Sequence, residues 1–267
     1  MSDWKVDMCD RVAVLTFGGE HVNNTFSTAK MHGLGHAIDE LGHDAGVGAV
    51  VLTAGARRSF GVGGDFHEVH RFTGGTEVTE WIRACVGMYR APLASPVPVV
   101  AAIEGYAIGI GLQLALCADY RVAAANADLR MPELELGVAC VLGAYLLERR
   151  VGTGLMTRMI LSSVAWTSDE ALEDGLVHEV VDTAATLDRA VEFAGRLASY
   201  KAAAFTETKQ FMNDRVIAGL DRAQEAAIGA HRRGFAASSD AQDRMREVIG
   251  EPSGGRGRAE RPASEQG

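Results

Sequence analysis

Apolar runs broken by short turn-rich stretches organise the first two thirds of the chain. "RVAVLTF" (Arg11 to Phe17) predicts a strand, and "GAVVLTA" (Gly48 to Ala54) is apolar throughout, as a strand buried on both faces requires. Between them a helix is predicted near Thr28 to Leu41. A second is predicted from Thr76 to Ala91, with Trp81, Cys85 and Met88 at helical spacing. "PVPVVAAIEGYAIG" then reads as one strand, its Pro96 and Pro98 confined to the entrance. Gly109 to Ala118 reads as a short buried helix, ahead of strand-like "YRVAAA" and "ADLRMPE".

"LGAYLLERRVG" and "GLMTRMILSS" read as two more helices. "TSDEALEDGLVHEVV" predicts a helix capped by Thr167 or Ser168 and closed at Gly175, then a strand. From Leu187 the pattern is helical only, through "LDRAVEFAGRLASY", "KAAAFTETKQFMN", "IAGLDRAQEAAIGAHRRGFAAS" and "SSDAQDRMREVIG". Strands alternating with helices predict an α/β core with covered sheets. The expected division is a core over residues 1–195, a helical C-terminal region over 196–250 and a disordered tail over 251–267. That tail, "EPSGGRGRAERPASEQG", has no bulky apolar residue.

Composition narrows the functions. The chain has 267 residues, 47% of them hydrophobic and 23% charged, enough apolar content for a sizeable core. A net charge of −9 and a pI near 5.4 argue against nucleic acid or an anionic membrane as partner. Cys9, Cys85, Cys117 and Cys140 form no CxxC pair and no Cys/His cluster, so neither a metal site nor a disulfide framework is expected. Cys117 and Cys140 read as buried thiols with no base near them in sequence. With no basic-then-apolar leader and no span-length apolar run, the expected compartment is the cytoplasm. A dinucleotide fold fails at its fingerprint, since no G-x-G-x-x-G follows a strand with an acid about twenty residues on.

Two glycine-bearing loops, "SFGVGGD" and "GYAIGIG", each follow a buried strand. Backbone N–H groups there can converge on one developing negative charge, or the glycines can simply make tight turns. Glu133, behind Pro132 and ahead of a largely apolar stretch, is a candidate acid, base or electrostatic group. Gln113 sits in the apolar helix "GLQLALCA", where it must find hydrogen bonds. On pattern alone His231 reads as a surface residue beside Arg232 and Arg233, and Trp81 as core.

"RSFGVGGDF", "PVVAAIEGYAIGIGLQLALCADYRVAAANADLRMPELELGV" and "TSDEALEDGLVHEVV" together resemble the crotonase (enoyl-CoA hydratase/isomerase) superfamily. The resemblance implies a spiral of ββα units forming two roughly perpendicular sheets, with a helical C-terminal region that packs trimers or paired trimers. It also implies a coenzyme A thioester whose carbonyl oxygen lies between the N–H groups of Gly64 and Ile110, with no permanently bound cofactor. Hydratases of the superfamily use two glutamates. Here Gln113 stands at the first position and only Glu133 remains, so ordinary hydration is expected to be weak.

"GGDFHEV", "TEWI", "GYAIGIGLQLAL", "RMPELELGVAC" and "AHRRGFAASSDAQ" are similar, within that superfamily, to the carboxymethylproline synthase family of carbapenem biosynthesis. This similarity implies decarboxylation of malonyl-CoA, addition of the enolate to pyrroline-5-carboxylate, and hydrolysis of the thioester. It assigns hydrolysis to Glu133 and the pocket lining to Gln113, Trp81 and His231. Two positions depart from relatives: Ile110 stands where some carry Met, and Glu135, where a basic residue occurs, is expected to alter charge at the pocket rim. Arg57 and Arg58, ahead of the first glycine loop, are candidates for the coenzyme A diphosphate, with Lys209 a weaker one. An enoyl-CoA isomerase with Glu133 shuttling one proton is the alternative. A non-catalytic RNA-binding or scaffold role fits poorly with the acidic charge.

Overall fold

The computed structural model describes residues 4–19, 23–56 and 58–251. Arg57 and the expected tail beyond Glu251 lie outside the described residues.

The chain opens with a hairpin, β1 (Lys5–Cys9) and β2 (Val12–Thr16), turned at Asp10 with φ +54°. All five residues of β1 are exposed, so no buried face marked it in the pattern. Helix α1 (Thr28–His43) starts where the Ser27 side chain accepts from the Lys30 N–H. Three similar turns of chain follow. β3 (Ala49–Thr53) leads to β4 (Gly61–Val62) and then to α2 (Phe66–Val69) and α3 (Thr76–Ala94). β5 (Val99–Ile103) leads to β6 (Tyr106–Ile108) and α4 (Ile110–Cys117), and β7 (Tyr120–Ala124) to β8 (Asp128–Arg130) and α5 (Val141–Ser162). β9 (Trp166–Thr167), α6 (Ser168–Glu173), β10 (Glu179–Val181), α7 (Thr186–Ala198), α8 (Ala202–Ala237) and α9 (Asp240–Ile249) complete the order.

In each turn the first strand joins one sheet and the second joins another. The larger sheet runs β1-β2-β3-β5-β7-β10, parallel except for the opening hairpin. The smaller runs β4-β6-β8-β9, with β4, β6 and β8 parallel and β9 antiparallel. The expected ββα repeat is therefore present. "PVPVVAAIEGYAIG" is two strands rather than one, because Gly105, at φ +60°, turns the chain out of the larger sheet and into the smaller.

Alternation explains the strands buried on both faces. Val14, Val51, Val100 and Val122 pack under α7 with Phe193, while Leu15, Val50, Leu52 and Ala101 join the core on the other side. Each Val, Leu or Phe side chain among them contributes about 1.5–3 kcal/mol on burial.

α5 joins the two predicted helices across a kink at Gly152, φ +82°. The two segments predicted after Lys201 are one 36-residue helix, α8. Its stripe Val216, Leu220, Ala223, Ala227, His231 and Phe235 is buried at helical spacing, and α8 lies across α3 and α5. Lys209 is part of this packing. It is buried, pairs with Asp119 Oδ2 at 2.6 Å and donates to the Val97 carbonyl at 2.9 Å, which withdraws it from any phosphate. Among the described residues no helix is long and apolar enough to cross a membrane.

Candidate active site

The three parallel strands of the smaller sheet end side by side. Val62 pairs with Ile108, and Ile108 with Arg130. The residues that follow are Gly63–Gly64, Gly109–Ile110 and Met131–Pro132–Glu133, so pairing alone gathers three predicted elements at one sheet edge. Ligands commonly bind beyond the carboxyl ends of parallel strands.

Each candidate N–H donor follows a glycine with positive φ, Gly63 at +96° and Gly109 at +53°. That backbone shape is costly for any residue with a Cβ. Phe26 takes both hydrogen bonds on one side of the first loop, donating to Gly63 O at 3.0 Å and accepting from Asp65 N at 3.0 Å. Successive N–H groups alternate in direction, so that of Gly64 points the other way, and no acceptor among the described residues takes it. Ile110 opens α4. The first bond inside the helix runs from Gln113 N to Gly109 O at 2.9 Å, which leaves the Ile110 N–H free as well. At the other end of α4, Arg150 donates to Leu116 O at 2.8 Å and Arg121 to Ala118 O at 3.1 Å. Those cations cover the negative end of the helix while its positive end faces the cavity.

Gly64, Ile110, Gln113, Glu133, Trp81 and His231 line one small, mainly apolar cavity. α8 supplies His231 and α9 supplies Met245, so the C-terminal helices close it. Gln113 Nε2 donates to Glu133 Oε1 at 2.8 Å, while its Oε1 accepts from the Tyr89 hydroxyl at 3.0 Å. Glu133 Oε2 is buried and has no hydrogen-bond partner among the described residues. Burial pushes the Glu133 carboxyl up to about 7, against partial relief from its own backbone N–H, Cys140 and Gln113. A carboxyl poised there exchanges protons readily at neutral pH.

The Trp81 and His231 rings meet edge to face, 5.5 Å apart, and the Trp81 Nε1–H is buried without a partner among the described residues. His231 Nδ1 lies 2.7 Å from the Ala227 carbonyl, and burial lowers its pKa, so the ring is neutral at pH 7. The surface reading of His231 is thereby overturned: Trp81 of α3 and the backbone at Ala139 cover the face that the local pattern left exposed. Glu135 is not at the cavity wall. It turns out to Arg130, 2.6 Å away, which neutralises its charge. Arg58 is absent from the lining and donates to Gly19 O at 2.5 Å.

Two contacts around the cavity escaped the sequence pattern. Tyr89 is one apolar position among many on α3, and only its hydroxyl contact gives it chemistry. Cys140 flanks Glu133, a carboxylate brought beside it by folding; burial holds the thiol far above its ordinary pKa, so it stays protonated and inert.

A family profile described as enoyl-CoA hydratase/isomerase matches residues 8–248. The chain is 36% identical over 241 residues to carboxymethylproline synthase of Pectobacterium carotovorum subsp. carotovorum, covering 90% of this chain and 96% of that protein. It is 30% identical to the short-chain-enoyl-CoA hydratase of Clostridium acetobutylicum, covering 80% and 82%. Among solved structures, ThnE from S. clavuligerus superposes with a TM-score of 0.75 at 38% identity, covering 85% of this chain and 100% of that one. Enoyl-CoA hydratase from Bacillus halodurans shares the fold, with a TM-score of 0.84 at 21% identity over 92% and 100% of the chains.

Proposed function

The chain belongs to the enoyl-CoA hydratase/isomerase family of enzymes, and on that premise we propose that it is a carboxymethylproline synthase of carbapenem biosynthesis. Its substrates are malonyl-CoA and pyrroline-5-carboxylate, the cyclised form of glutamate semialdehyde. Loss of CO₂ leaves the bonding electron pair on the α-carbon, and the Gly64 and Ile110 N–H groups receive the thioester oxygen as it becomes an enolate. No base is required for that step. The enolate carbon attacks the C=N carbon of the cyclic imine, whose nitrogen takes a proton. Water activated by Glu133 then adds to the thioester, and coenzyme A leaves as the protonated thiol.

One observation carries this reading: Gln113, an amide, holds the only carboxylate of the cavity lining by its Oε1 and leaves Oε2 open. A hydratase needs two groups exchanging protons with one water, and an amide exchanges none at neutral pH. Decarboxylation, carbon–carbon bond formation and hydrolysis need one carboxylate. The apolar walls favour an enolate that must meet an imine before it meets water. Trp81 and His231 face the acceptor. Phe211 and Met212 on α8 and Leu161 at the end of α5 stand in solvent on a single chain, which supports a homotrimer.

Mass spectrometry of products from malonyl-CoA, with and without pyrroline-5-carboxylate, tests the proposal. Free carboxymethylproline is expected only with both substrates. Turnover of a 3-enoyl-CoA to its 2-isomer, with malonyl-CoA untouched, would establish the isomerase instead.

A further inference from the structure

Behind Gln113 lies a group that no part of the proposed chemistry has used. Tyr89 is fully buried on α3, and its hydroxyl reaches Gln113 Oε1 at 3.0 Å, on the side of the amide away from Glu133. An amide in this place has two orientations, and they have opposite consequences. With N–H₂ toward Glu133 it donates to a carboxylate. Turned over, it offers a carbonyl oxygen, which only a protonated carboxyl can approach.

The surroundings select the first orientation. The buried phenol proton gains a full-strength acceptor in the Gln113 carbonyl; turned over, that proton would face only the weak acceptor Cys85 Sγ, one helical turn away. The second amide hydrogen is directed at Met131 Sδ, 3.6 Å from Nε2, where a carbonyl oxygen would meet a lone pair. A buried polar atom left without its partner costs about 1–3 kcal/mol, enough to hold one orientation.

We propose that the Tyr89 hydroxyl is a positioning group for thioester hydrolysis: it locks the Gln113 amide with N–H₂ on Glu133 Oε1 and so reserves Glu133 Oε2 for the attacking water. This rests on the role of Glu133 given above. The polar and titratable groups around the Tyr89–Gln113–Glu133 chain are Cys85 from α3, Cys117 from α4, Cys140 at the start of α5 and His231 from α8. Burial keeps the three thiols and the phenol protonated and His231 neutral; Cys140 and the Glu133 backbone N–H also favour the ionised carboxyl, and the amide is the neighbour whose turning exchanges a donor for an acceptor.

Tyr89→Phe removes one oxygen and keeps the ring. Its effect is read first without any reaction, by infrared titration of the Glu133 carboxyl band, assigned by its loss in Glu133→Gln. The band in Tyr89→Phe is expected to titrate about one unit higher than in the parent chain, because the freed amide turns and accepts from the protonated acid. Hydrolysis of the preformed thioester adduct should fall several-fold at pH 7 and recover by pH 9, while CO₂ release from malonyl-CoA stays unchanged. If Tyr89→Phe does not fold, Gln113→Met keeps the hydroxyl, removes the amide and should raise the same titration.

A band that titrates as in the parent chain overturns the proposal. So does a loss of hydrolysis and decarboxylation by the same factor at every pH, which is what a purely structural role predicts. A chain that leaves malonyl-CoA untouched would sink the proposed function, and the infrared titration would still decide the orientation of the amide.

Discussion

Gln113 Nε2 stands 2.8 Å from Glu133 Oε1, so the amide occupies the place from which a second acid would share a water with Glu133. The pair is built by two different devices. Gln113 comes from the first turn of a buried helix, Glu133 from the loop after a short parallel strand. Their contact fixes one carboxylate oxygen and leaves the other without a partner among the described residues.

Glu133→Ala should separate the steps of the reaction. CO₂ release persists, because the Gly64 and Ile110 N–H groups remain. Release of free carboxymethylproline falls by roughly two to four orders of magnitude, the scale of a lost acid–base group. Counting CO₂, acetyl-CoA, thioester adduct and free acid decides it; equal loss of CO₂ and product in a folded variant would remove Glu133 from the hydrolysis step.

Glu133 also makes the protein less stable as pH rises. Its folded pKa of about 7 lies above the ordinary 4.5, so the folded state binds the proton more tightly than the unfolded chain. The advantage is complete below pH 4.5 and lost as pH climbs toward 7. Glu133→Gln removes that loss, and its stability relative to the parent chain should grow by up to about 3 kcal/mol between pH 4 and pH 8. Denaturant melts at the two pH values measure it.

Gln113→Glu supplies the second carboxylate without making an efficient hydratase. Two acids would meet at hydrogen-bond distance in a dry cavity, where both cannot ionise, so one holds its proton through neutral pH. Hydration of crotonyl-CoA should stay within about tenfold of the parent chain, on the scale of a small part of a full acid–base contribution. A hydration rate that rose by orders of magnitude would show that the cavity shape places no limit.

Gly109→Ala tests the loop that aims Ile110. The position has φ +53°, and a Cβ there would sit 3.1 Å from Glu133 Oε1. Backbone strain of roughly 1–3 kcal/mol and a displaced carboxylate should lower both decarboxylation and hydrolysis. A variant with parental rates would show that neither the loop nor the acid depends on the glycine.

Lys209→Met leaves Asp119, a largely covered carboxylate beneath α8, without the cation that contacts it. Removing one partner of a buried pair costs on the order of 3–5 kcal/mol. Thermal unfolding should register that cost, while the affinity of the folded variant for coenzyme A remains unchanged. Lost affinity at parental stability would return Lys209 to the ligand site.

By itself the sequence determined the order of elements, because burial periodicity is local. Buried strands such as Ala49–Thr53 and caps such as Thr167 carry their signal within a few residues. Motifs whose spacing belongs to one family also marked six residues that line the cavity. The hairpin strand Lys5–Cys9 was illegible because it buries no face, and Gly105 hid a change of sheet inside one apolar run. What only the tertiary structure decided were relations between distant residues. His231 and Trp81 lie 150 positions apart and touch because α8 lies across α3. Glu135 read as a charge at the pocket rim and Lys209 as a phosphate ligand until folding gave each an opposite charge. Tyr89 carries no local mark at all. Burial, partners and pKa depend on what the rest of the chain packs around a group, and no stretch of sequence contains that packing.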